Sequence, residues 1–332
     1  MNPSVANSFL GLDVSKASFH AALCATGQSP MHQRAFTNDA RGFAALQQWL
    51  AQQPTLLPKA LHACMESTSR YGDDLALHLH GYVGSVSMVN ARLVYRYGQA
   101  LNLRAKSDPA DARLLAQYCA ERHPRPWSPL SPERAALQEM NRRLSQLSHQ
   151  KTAESNRLEA VRHAVVRADI LQHIAQIQKH MDRLLAKLLA HVQAHPKLCQ
   201  QSALLQSVPG IGAKTAAALL GELPEDVLAH YAHARQLAAH SGLTPRHQQS
   251  GAHCAPTPLC RIGSSRLRAI LYMPALVGAK HCQAFAHFRA KLIARGKTPK
   301  QAICALMRKL IHVVFGILKH QKPFNPLLLS TS

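Results

Sequence analysis

The stretch Phe-Leu-Gly-Leu-Asp-Val at residues 9–14 decides the fold of the first third of the chain. It is a short apolar run with a carboxylate, Asp13, near its end, which indicates a buried strand. A helix is predicted around residues 42–52, and helical patterns follow the later apolar runs. Early hairpin strands followed by βα units predict an α/β domain. The further predicted strands are Phe19–Cys24, Gln33–Thr37, Ala60–Met65 and Tyr82–Val89.

Two of the predicted strands deliver an acid at their end. Asp13 closes the first strand, and Glu66 follows the run at residues 60–65. Sheets of α/β proteins place their functional sites at the carboxyl ends of strands. We therefore expect Asp13 and Glu66 to lie side by side at one edge of the sheet, although a lone acid at a strand end is usually a turn residue.

A second pair of acids marks the start of a helix. In Lys-Ser-Asp-Pro-Ala-Asp-Ala-Arg, residues 106–113, Pro109 suits the first helical position. This spacing predicts Asp108 as the N-cap and Asp111 as the third helical residue, so that both carboxylates lie near one face. An ordinary helix start would use acids in the same way.

These four acids are half of the eight acidic residues that precede residue 124. Clustered carboxylates repel one another unless a cation joins them, and oxygen-only ligands suit Mg²⁺ or Mn²⁺. Two such ions about 4 Å apart can stabilise both the attacking and the leaving oxygen in phosphoryl transfer. The set of acids therefore predicts metal-dependent chemistry on a phosphate.

The charge of the chain points to a polyanionic partner. Its 332 residues include 39 Lys and Arg against 17 Asp and Glu, a formal net charge of +22. The last 106 residues, 227–332, contain 15 Lys and Arg and no acid. An excess of this size attracts nucleic acid and makes binding salt-sensitive. No Ser-His-Asp triad can form within residues 227–332, because they supply no carboxylate.

Membrane and secretory classes are disfavoured. The most apolar runs, Ala269–Ala279 and Ile311–Leu318, are shorter than the roughly 20 residues that span a bilayer. Asp13 and Lys16 interrupt the N-terminal apolar stretch that a signal peptide would need. The eight cysteines form no C-x-x-C pair, so we expect reduced thiols in a cytoplasmic protein without a membrane partner.

The chain is predicted to have three structural regions. Residues 1–123 form the α/β domain, and prolines break regular structure in a linker at 124–132. Residues 133–195 carry apolar positions in the 3-4 rhythm of a coiled coil, with polar seam positions at Lys151 and Glu154 and one phase slip. Pairing between chains and a helical hairpin within one chain both fit this pattern, and we favour the first. Residues 196–332 are predicted to be mainly helical.

A glycine turn opens this last region. Pro-Gly-Ile-Gly-Ala-Lys at residues 209–214 precedes an Ala- and Leu-rich helix, as in helix-hairpin-helix motifs. Backbone N–H groups of Gly210 and Gly212 would face a phosphate, and Lys214 would add charge. A tight helical turn without a ligand is the alternative.

The order and spacing of several motifs resemble the DEDD-type insertion-sequence transposases. This family of bridge-RNA-guided serine recombinases is related to the Piv DNA invertase. The resemblance covers almost the whole chain. It rests on Gly11–Lys16, Met65–Thr68, Lys106–Asp108, Asp111–Ala116, Pro209–Gly212, Gly242–Arg246, Ser250–Gly251, Leu267–Arg268 and Leu271–Ala275.

The resemblance implies a RuvC-like domain with an RNase H fold, a coiled coil and a C-terminal transposase domain. By that resemblance Asp13, Glu66, Asp108 and Asp111 hold Mg²⁺ or Mn²⁺, and Ser250 forms a covalent phosphoserine link to DNA. It also implies a structured bridge RNA as guide and a dimer or tetramer. The expected nucleic-acid contacts are Gly210, Gly212, Lys214, Arg246, Arg261, Arg266 and Arg268.

Two other functions fit parts of the sequence. A RuvC-like nuclease would hydrolyse branched DNA with water, using the four acids and no serine. A non-catalytic nucleic-acid-binding protein would need the basic charge, the glycine turn and the coiled coil. A covalent protein–DNA adduct would separate the recombinase from both alternatives.

Overall fold

The computed structural model describes residues 8–25, 32–53, 56–67, 70–103, 107–245, 249–250, 253–254, 259–260 and 262–329. The chain divides into two compact units, Met1–Pro129 and Leu130–Ser332, here called the N-terminal and C-terminal units. The boundary between them falls inside the segment 124–132.

A mixed five-stranded sheet forms the centre of the N-terminal unit, with strand order β3-β2-β1-β4-β5. The first three strands are antiparallel neighbours, whereas β4 runs parallel to β1 and β5 parallel to β4. The predicted α/β domain with hairpin strands first and βα units later is confirmed. The strands are β1 (Ser8–Val14), β2 (Ser18–Ala25), β3 (His32–Thr37), β4 (Leu61–Glu66) and β5 (Ser85–Val89).

Four α-helices pack in the described part of this unit. Several boundaries differ from the sequence prediction by one to three residues, and two of these differences have a clear physical cause. The strand predicted from Tyr82 begins only at Ser85, because Tyr82 is still helical and the N–H of Val83 donates to Leu79 O. The acid-bearing helix begins one residue early. Ser107 has the extended backbone of a cap residue, with φ −156° and ψ 151°. Asp108 is therefore the first helical residue and not the N-cap, and Asp111 is the fourth. The helices are α1 (Ala40–Ala51), α2 (Asp73–Tyr82), α3 (Ala91–Ala100) and α4 (Asp108–Arg122).

The C-terminal unit begins with two long helices, α5 (Pro132–Ala160) and α6 (Ala164–Ala194), which pack against each other in antiparallel sense. The apolar seam is thus the inside of a helical hairpin within one chain, which was the less favoured interpretation. The hairpin turn lies at residues 161–163, where Val161 and His163 are extended, before the predicted phase slip, and Val165, predicted as a seam position, is exposed. Pairing between chains stays a prediction.

Both polar seam positions find partners across this hairpin. Lys151 Nζ donates to Gln178 Oε1 at 2.7 Å. The carboxylate of Glu154 lies 3.6 Å from His173 Nδ1 and also pairs with Arg157 on its own helix. These contacts keep buried polar groups satisfied at one register, because sliding the helices by a turn would separate them.

The remaining helices enclose one core with α5 and α6. They include α13, whose apolar stretch is longer than the sequence run at 311–318 suggested. Among the described residues, α13 alone is long and apolar enough to cross a membrane. However, 56% of its most apolar 18-residue segment is buried. We interpret α13 as a core helix. The helices are α7 (Pro196–Gln206), α8 (Ala213–Glu222), α9 (Val227–His230), α10 (Ala234–His240), α11 (Ser265–His281), α12 (Gln283–Ala294) and α13 (Pro299–His320).

A buried guanidinium joins α5 to α7 and α8. Arg134 is only 2% exposed, and its Nη1 donates to the carbonyls of Leu220, Leu223 and Pro224 at 3.1–3.2 Å. Its Nη2 donates to Gln201 Oε1 at 2.6 Å. A helix leaves its last carbonyls without helical partners, and a cation is favourable at that end. Arg134 therefore caps α8 from another helix.

Candidate active site

The strand register places two of the acids on neighbouring strands. In the parallel pair β1 and β4, Gly11 lies opposite Cys64 and Leu12 opposite Met65. Asp13 and Glu66 each follow by one residue, so both occupy the carboxyl ends of adjacent strands. Both residues are half-buried. This is the side-by-side arrangement that the sequence predicted.

A close contact between α4 and β1 brings the other two acids to the same edge. A Cβ built on Gly11 would lie 2.0 Å from Ala112 O and 2.3 Å from Ala116 N, so the helix backbone rests directly on the strand. Asp111 immediately precedes Ala112, and Asp13 follows Gly11 by two residues toward the sheet edge. Only glycine permits this approach.

His20 extends the same neighbourhood to Asp108. It lies opposite Asp13 in the antiparallel pair β1 and β2. Its Nδ1 is 3.8 Å from Asp108 Oδ2, whose side chain is 66% exposed. Sequence reasoning missed His20, since a single histidine within an apolar strand carries no specific signal. We call Asp13, Glu66, Asp108 and Asp111 together the acid edge.

The donor chemistry of the acid edge fits a divalent cation. All four side chains offer oxygen ligands, which Mg²⁺ and Mn²⁺ prefer, and the elements that carry them, β1, β4 and α4, contact one another. Within the described part of the chain, no three acidic, imidazole or thiol groups are grouped tightly enough to hold a metal as they stand. Closing a ligand set therefore requires side-chain movement.

Ser250 lies in a two-stranded extension of the C-terminal unit. Strands β6 (Gln249–Ser250) and β7 (His253–Cys254) are antiparallel, with Ser250 opposite His253. Nearer the helices, Pro245 forms a β-bridge with Leu259, and the N–H of Cys260 donates to Thr244 O at 2.7 Å. We call the described residues 244–245, 249–250, 253–254 and 259–260 the serine hairpin. The backbone of Ser250 lies in β6, the first of its two short strands.

Two glycines and an arginine form the base of the serine hairpin. Gly242 and Gly263 have φ values of +65° and +138°, in the region that favours glycine. Arg268 Nη1 donates to Ser241 O at 3.1 Å and to Gly263 O at 3.4 Å. The guanidinium of Arg268, expected to contact nucleic acid, thus bonds to the backbone at the hairpin base. Any contact that it makes with nucleic acid stays a prediction.

Ser241, the other serine of this segment, is fully buried. Its Oγ donates to Leu237 O at 2.9 Å, the usual local bond of a serine at a helix end. This environment gives Ser241 a structural role. It makes Ser241 a suitable internal control for Ser250.

The glycine turn lies between α7 and α8, and its two glycines differ. Gly210 has φ +96°, and a Cβ there would lie 2.4 Å from Pro274 O, so its position against α11 explains the residue. Gly212 is the N-cap residue of α8, is exposed and has nothing within 4 Å of a built Cβ. Lys214 is exposed in the first turn. Gly212 and Lys214 thus present an accessible helix start.

The other arginines expected to bind nucleic acid divide into two groups. Arg266 Nη1 lies 3.8 Å from Glu222 Oε2, and the side chain of Glu222 is 9% exposed. Burial raises the pKa of Glu222, while Arg266 and Arg142 oppose that shift. Arg246 and Arg261 lie outside the described residues.

Two family models and three related proteins match the chain. A family model described as a transposase, the DEDD type of IS110, matches residues 10–165, and a model for the IS116/IS110/IS902 transposase family matches residues 202–291. The pilin gene-inverting proteins of Moraxella bovis and Moraxella lacunata are each 30% identical over 325 residues, 97% of this chain and 98% of theirs. An uncharacterized 43.6 kDa protein of insertion element IS110 from Streptomyces coelicolor is 28% identical over 155 residues, covering 47% of this chain and 37% of that protein.

The two family matches and the pilin gene-inverting relatives define a DNA-rearranging enzyme of the transposase and invertase class. The chain belongs to the IS110 family of transposases. The family match fits a RuvC-like interpretation of the N-terminal unit.

Proposed function

We propose that this transposase cuts and rejoins DNA through a covalent phosphoserine at Ser250, assisted by a divalent cation at the acid edge. The observation that supports the proposal is that β1, β4 and α4, the elements that carry the four acids, contact one another. The C-terminal unit, which carries the serine, has no acid after Asp226. Residues 227–332 therefore supply no carboxylate that could hold a cation beside Ser250, and we propose that the acid edge supplies it.

The residues that would hold Mg²⁺ or Mn²⁺ are Asp13, Glu66, Asp108 and Asp111. When bound, the cation would neutralise phosphate charge and favour ionisation of a nearby hydroxyl. The four carboxylates would orient the reacting phosphate through that charge. His20 beside Asp108 would hold the helix end in place.

The covalent step is a transesterification at phosphorus. Ser250 Oγ forms a bond to a DNA phosphorus, one deoxyribose oxygen leaves, and the serine proton passes to solvent while the leaving oxygen takes one up. A DNA hydroxyl then attacks the phosphoserine, which releases Ser250 unchanged. The energy of the phosphodiester is conserved, so the exchange needs no nucleotide cofactor.

Partners follow from charge and from the resemblance described above. The net charge of +22 supports backbone-dominated nucleic-acid binding. We propose DNA as substrate, a structured bridge RNA as guide, and a dimer or tetramer as the active form. Because bacterial DNA is cytoplasmic, we propose that compartment as the place of action.

The decisive test is Ser250→Ala on a nicked or pre-cleaved DNA substrate. We expect folding and nucleic-acid binding to persist while covalent adducts and recombination disappear, since only the attacking oxygen is removed. Phosphopeptide mapping of the trapped adduct identifies the linked residue.

Ser241→Ala is the matched control. It removes one buried hydrogen bond and should cost about 1 kcal/mol of stability without loss of adduct. An adduct that maps to Ser241, or recombination that persists without Ser250, would contradict the assignment.

The acid edge has its own test in Asp111→Asn. We expect strand cleavage to be lost while DNA affinity changes little, because the variant removes a ligand charge and keeps the side-chain shape. If Asp111 serves only the helix dipole, stability falls by roughly 0.3–1 kcal/mol and cleavage survives. That result would remove Asp111 from the metal ligands.

A RuvC-like nuclease is the second candidate. The observation in its favour is that all four acids belong to the N-terminal unit. It predicts metal-dependent cleavage of branched DNA that leaves no adduct and continues in Ser250→Ala. The same adduct assay therefore separates the two functions.

A further inference from the structure

One side of α3 combines exposed basic and aromatic residues. Arg92, Tyr95, Arg96 and Gln99 are all exposed, and their spacing of three and four residues places them on the same side of the helix. The opposite side of α3 is buried. We call the four exposed residues the α3 face, which is open to a partner.

The α3 face carries positive charge without a balancing acid. Residues 90–107 include four Lys and Arg and no Asp or Glu. Within the described part of the chain, neither Arg92 nor Arg96 pairs with an acid. Two guanidinium groups about one helical turn apart are therefore available to a polyanion, and arginine binds phosphate well through its fork of N–H donors.

Tyr95 adds an aromatic ring between the two arginines. The residue is 66% exposed, although a tyrosine usually buries most of its ring. Gln99 Nε2 donates to Tyr95 OH at 3.1 Å, which holds the ring along the helix. A ring that is already held loses little conformational freedom when another flat group stacks on it.

The start of α3 is fixed next to the acid edge. Val89, the last residue of β5, lies opposite Glu66, and both the N–H and the Oγ of Ser67 donate to Val89 O, at 2.9 and 3.1 Å. Asn90 then caps α3, because its side chain accepts from the Arg92 N–H at 2.9 Å. The α3 face thus begins three residues after the residue opposite Glu66.

The buried side of α3 packs on α4, which carries the other two acids. The rings of Tyr97 and Tyr118 meet edge to face, with their centroids 5.4 Å apart. A Cβ built on Gly98 would lie 2.9 Å from Leu114 Cδ2, so the helices are in close contact there. Both anchors of α3 therefore belong to elements that form the acid edge.

The chemistry of the α3 face suits an unpaired strand of nucleic acid. Arginine binds the phosphates, and an exposed aromatic ring stacks on a base that has no partner strand. In a duplex the bases stack on one another, so the ring of Tyr95 would add little to binding. A protein partner could cover the ring, but it would have to supply acids for both guanidinium groups.

We propose that the α3 face binds an unpaired DNA strand beside the acid edge, with a base stacked on Tyr95 and phosphates paired with Arg92 and Arg96. The choice of DNA over RNA rests on the proposed function, in which the acid edge acts on DNA. The binding itself needs neither the serine nor a cation. A strand held on α3 is kept apart from its complement close to the reacting phosphate.

The test is Tyr95→Ala in the full chain, with binding measured by fluorescence anisotropy in EDTA. The probes are a labelled single-stranded DNA, a single-stranded RNA of the same sequence and a duplex DNA. We expect affinity for single-stranded DNA to fall at least about fivefold, the lower range for loss of one stacking ring, while duplex affinity stays within about twofold. Tyr95→Trp should keep the wild-type affinity, because it retains a ring on which a base can stack.

Leu77→Ala is the matched control for truncation of an exposed side chain. Leu77 is 51% exposed and lies in α2 of the same unit. This variant should leave all three affinities unchanged.

Arg96→Gln tests the phosphate contact independently. We expect the slope of log affinity for single-stranded DNA against log salt to fall by about 0.7. Arg34→Gln is its control, because Arg34 is exposed on β3, at the sheet edge opposite β5, and should leave the slope unchanged. An unchanged slope in Arg96→Gln would contradict the phosphate contact.

Wild-type affinity of Tyr95→Ala for single-stranded DNA, or an equal loss for duplex DNA, would overturn the proposal. A loss confined to RNA would overturn the choice of DNA. A change of oligomeric state without a change in strand binding would also overturn the proposal, because the occupant would then be another protein chain.

The adduct assay separates this role of α3 from the serine mechanism. Strand binding that depends on Tyr95 but yields no phosphoserine adduct would contradict the serine mechanism and leave the role of α3 intact. Adducts in a Tyr95→Ala variant that binds single strands normally would contradict the role of α3 alone.

Discussion

The acid edge and the serine hairpin are positioned by different interactions. The acid edge depends on a helix packed so tightly on a strand that Gly11 has no room for a methyl group. The serine hairpin depends on a few backbone hydrogen bonds, two glycines with positive φ and the guanidinium of Arg268. The first is fixed by core packing and the second by turn geometry.

This difference predicts which substitutions each region tolerates. Close-packed interiors resist added volume, so a single atom at the helix–strand contact displaces two of the acids together. The hydrogen-bonded base of the serine hairpin tolerates more added volume, but the hairpin changes its orientation when the backbone conformation of the turn is altered. The two regions should therefore fail in different ways when one methyl group is added to a glycine.

The largest effect is expected from Gly11→Ala. The new methyl would overlap backbone atoms of α4, which cannot move aside as a side chain could. We expect a loss of about 3 kcal/mol or more, at the upper end of overpacking costs, together with loss of cleavage. Chemical denaturation with parallel cleavage assays measures both.

Gly81→Ala is the control for that substitution, because its Cβ meets nothing. It should be neutral or stabilising by up to about 1 kcal/mol. Equal stabilities of Gly11→Ala and the wild type would show that α4 does not need this contact.

A smaller effect is expected from Gly242→Ala. The left-handed backbone costs an alanine about 1–2 kcal/mol, and its Cβ would also lie 2.3 Å from Arg268 Nη1. We expect the free energy of unfolding of the C-terminal unit to fall modestly and recombination to fall strongly, because the base of the serine hairpin is displaced. Gly296→Ala is the control, because Gly296 has a φ of +79° and open space at a built Cβ. This variant should lose only the stability that the left-handed backbone costs an alanine. If both variants recombine equally well, the Arg268 contact does not position the hairpin.

The smallest effect is expected from Lys214→Gln at the accessible start of α8. Removing one phosphate contact should lower the slope of log affinity against log salt by about 0.9. Protein stability should not change, because Lys214 is exposed. Salt titration of DNA binding measures the slope, and an unchanged slope would favour the alternative of a turn without a ligand.

Much of the N-terminal unit could be predicted because its signals are local. Apolar runs ending at Asp13 and Glu66 fixed both strands, and the parallel register then placed the acids together. The start of α4 was predicted one residue late, since proline is accepted at either of the first two helical positions. Such boundaries depend on the backbone angles of Ser107, which composition does not specify.

The C-terminal unit was harder to predict because its arrangement depends on contacts between distant residues. An apolar seam has the same period in a hairpin and in a coiled coil between chains, and the choice depends on the three-residue turn at 161–163. Arg268 looked like a nucleic-acid contact, yet its guanidinium bonds to the backbone of Ser241 and Gly263. Only the fold brings those carbonyls to it.

The buried guanidinium of Arg134 has a consequence for synthesis of the chain. Its most distant acceptor, Pro224 O, lies 90 residues further along. At translation rates of 5–20 residues per second, roughly 5–18 s separate the emergence of the two partners from the ribosome. During that interval the Arg134 guanidinium of the nascent α5 lacks the carbonyl acceptors that it has in the folded protein. The hairpin of α5 with α6 is complete in sequence by residue 194 and can form earlier. We therefore expect the packing of α8 against Arg134 to be a late step in the folding of the newly synthesised chain.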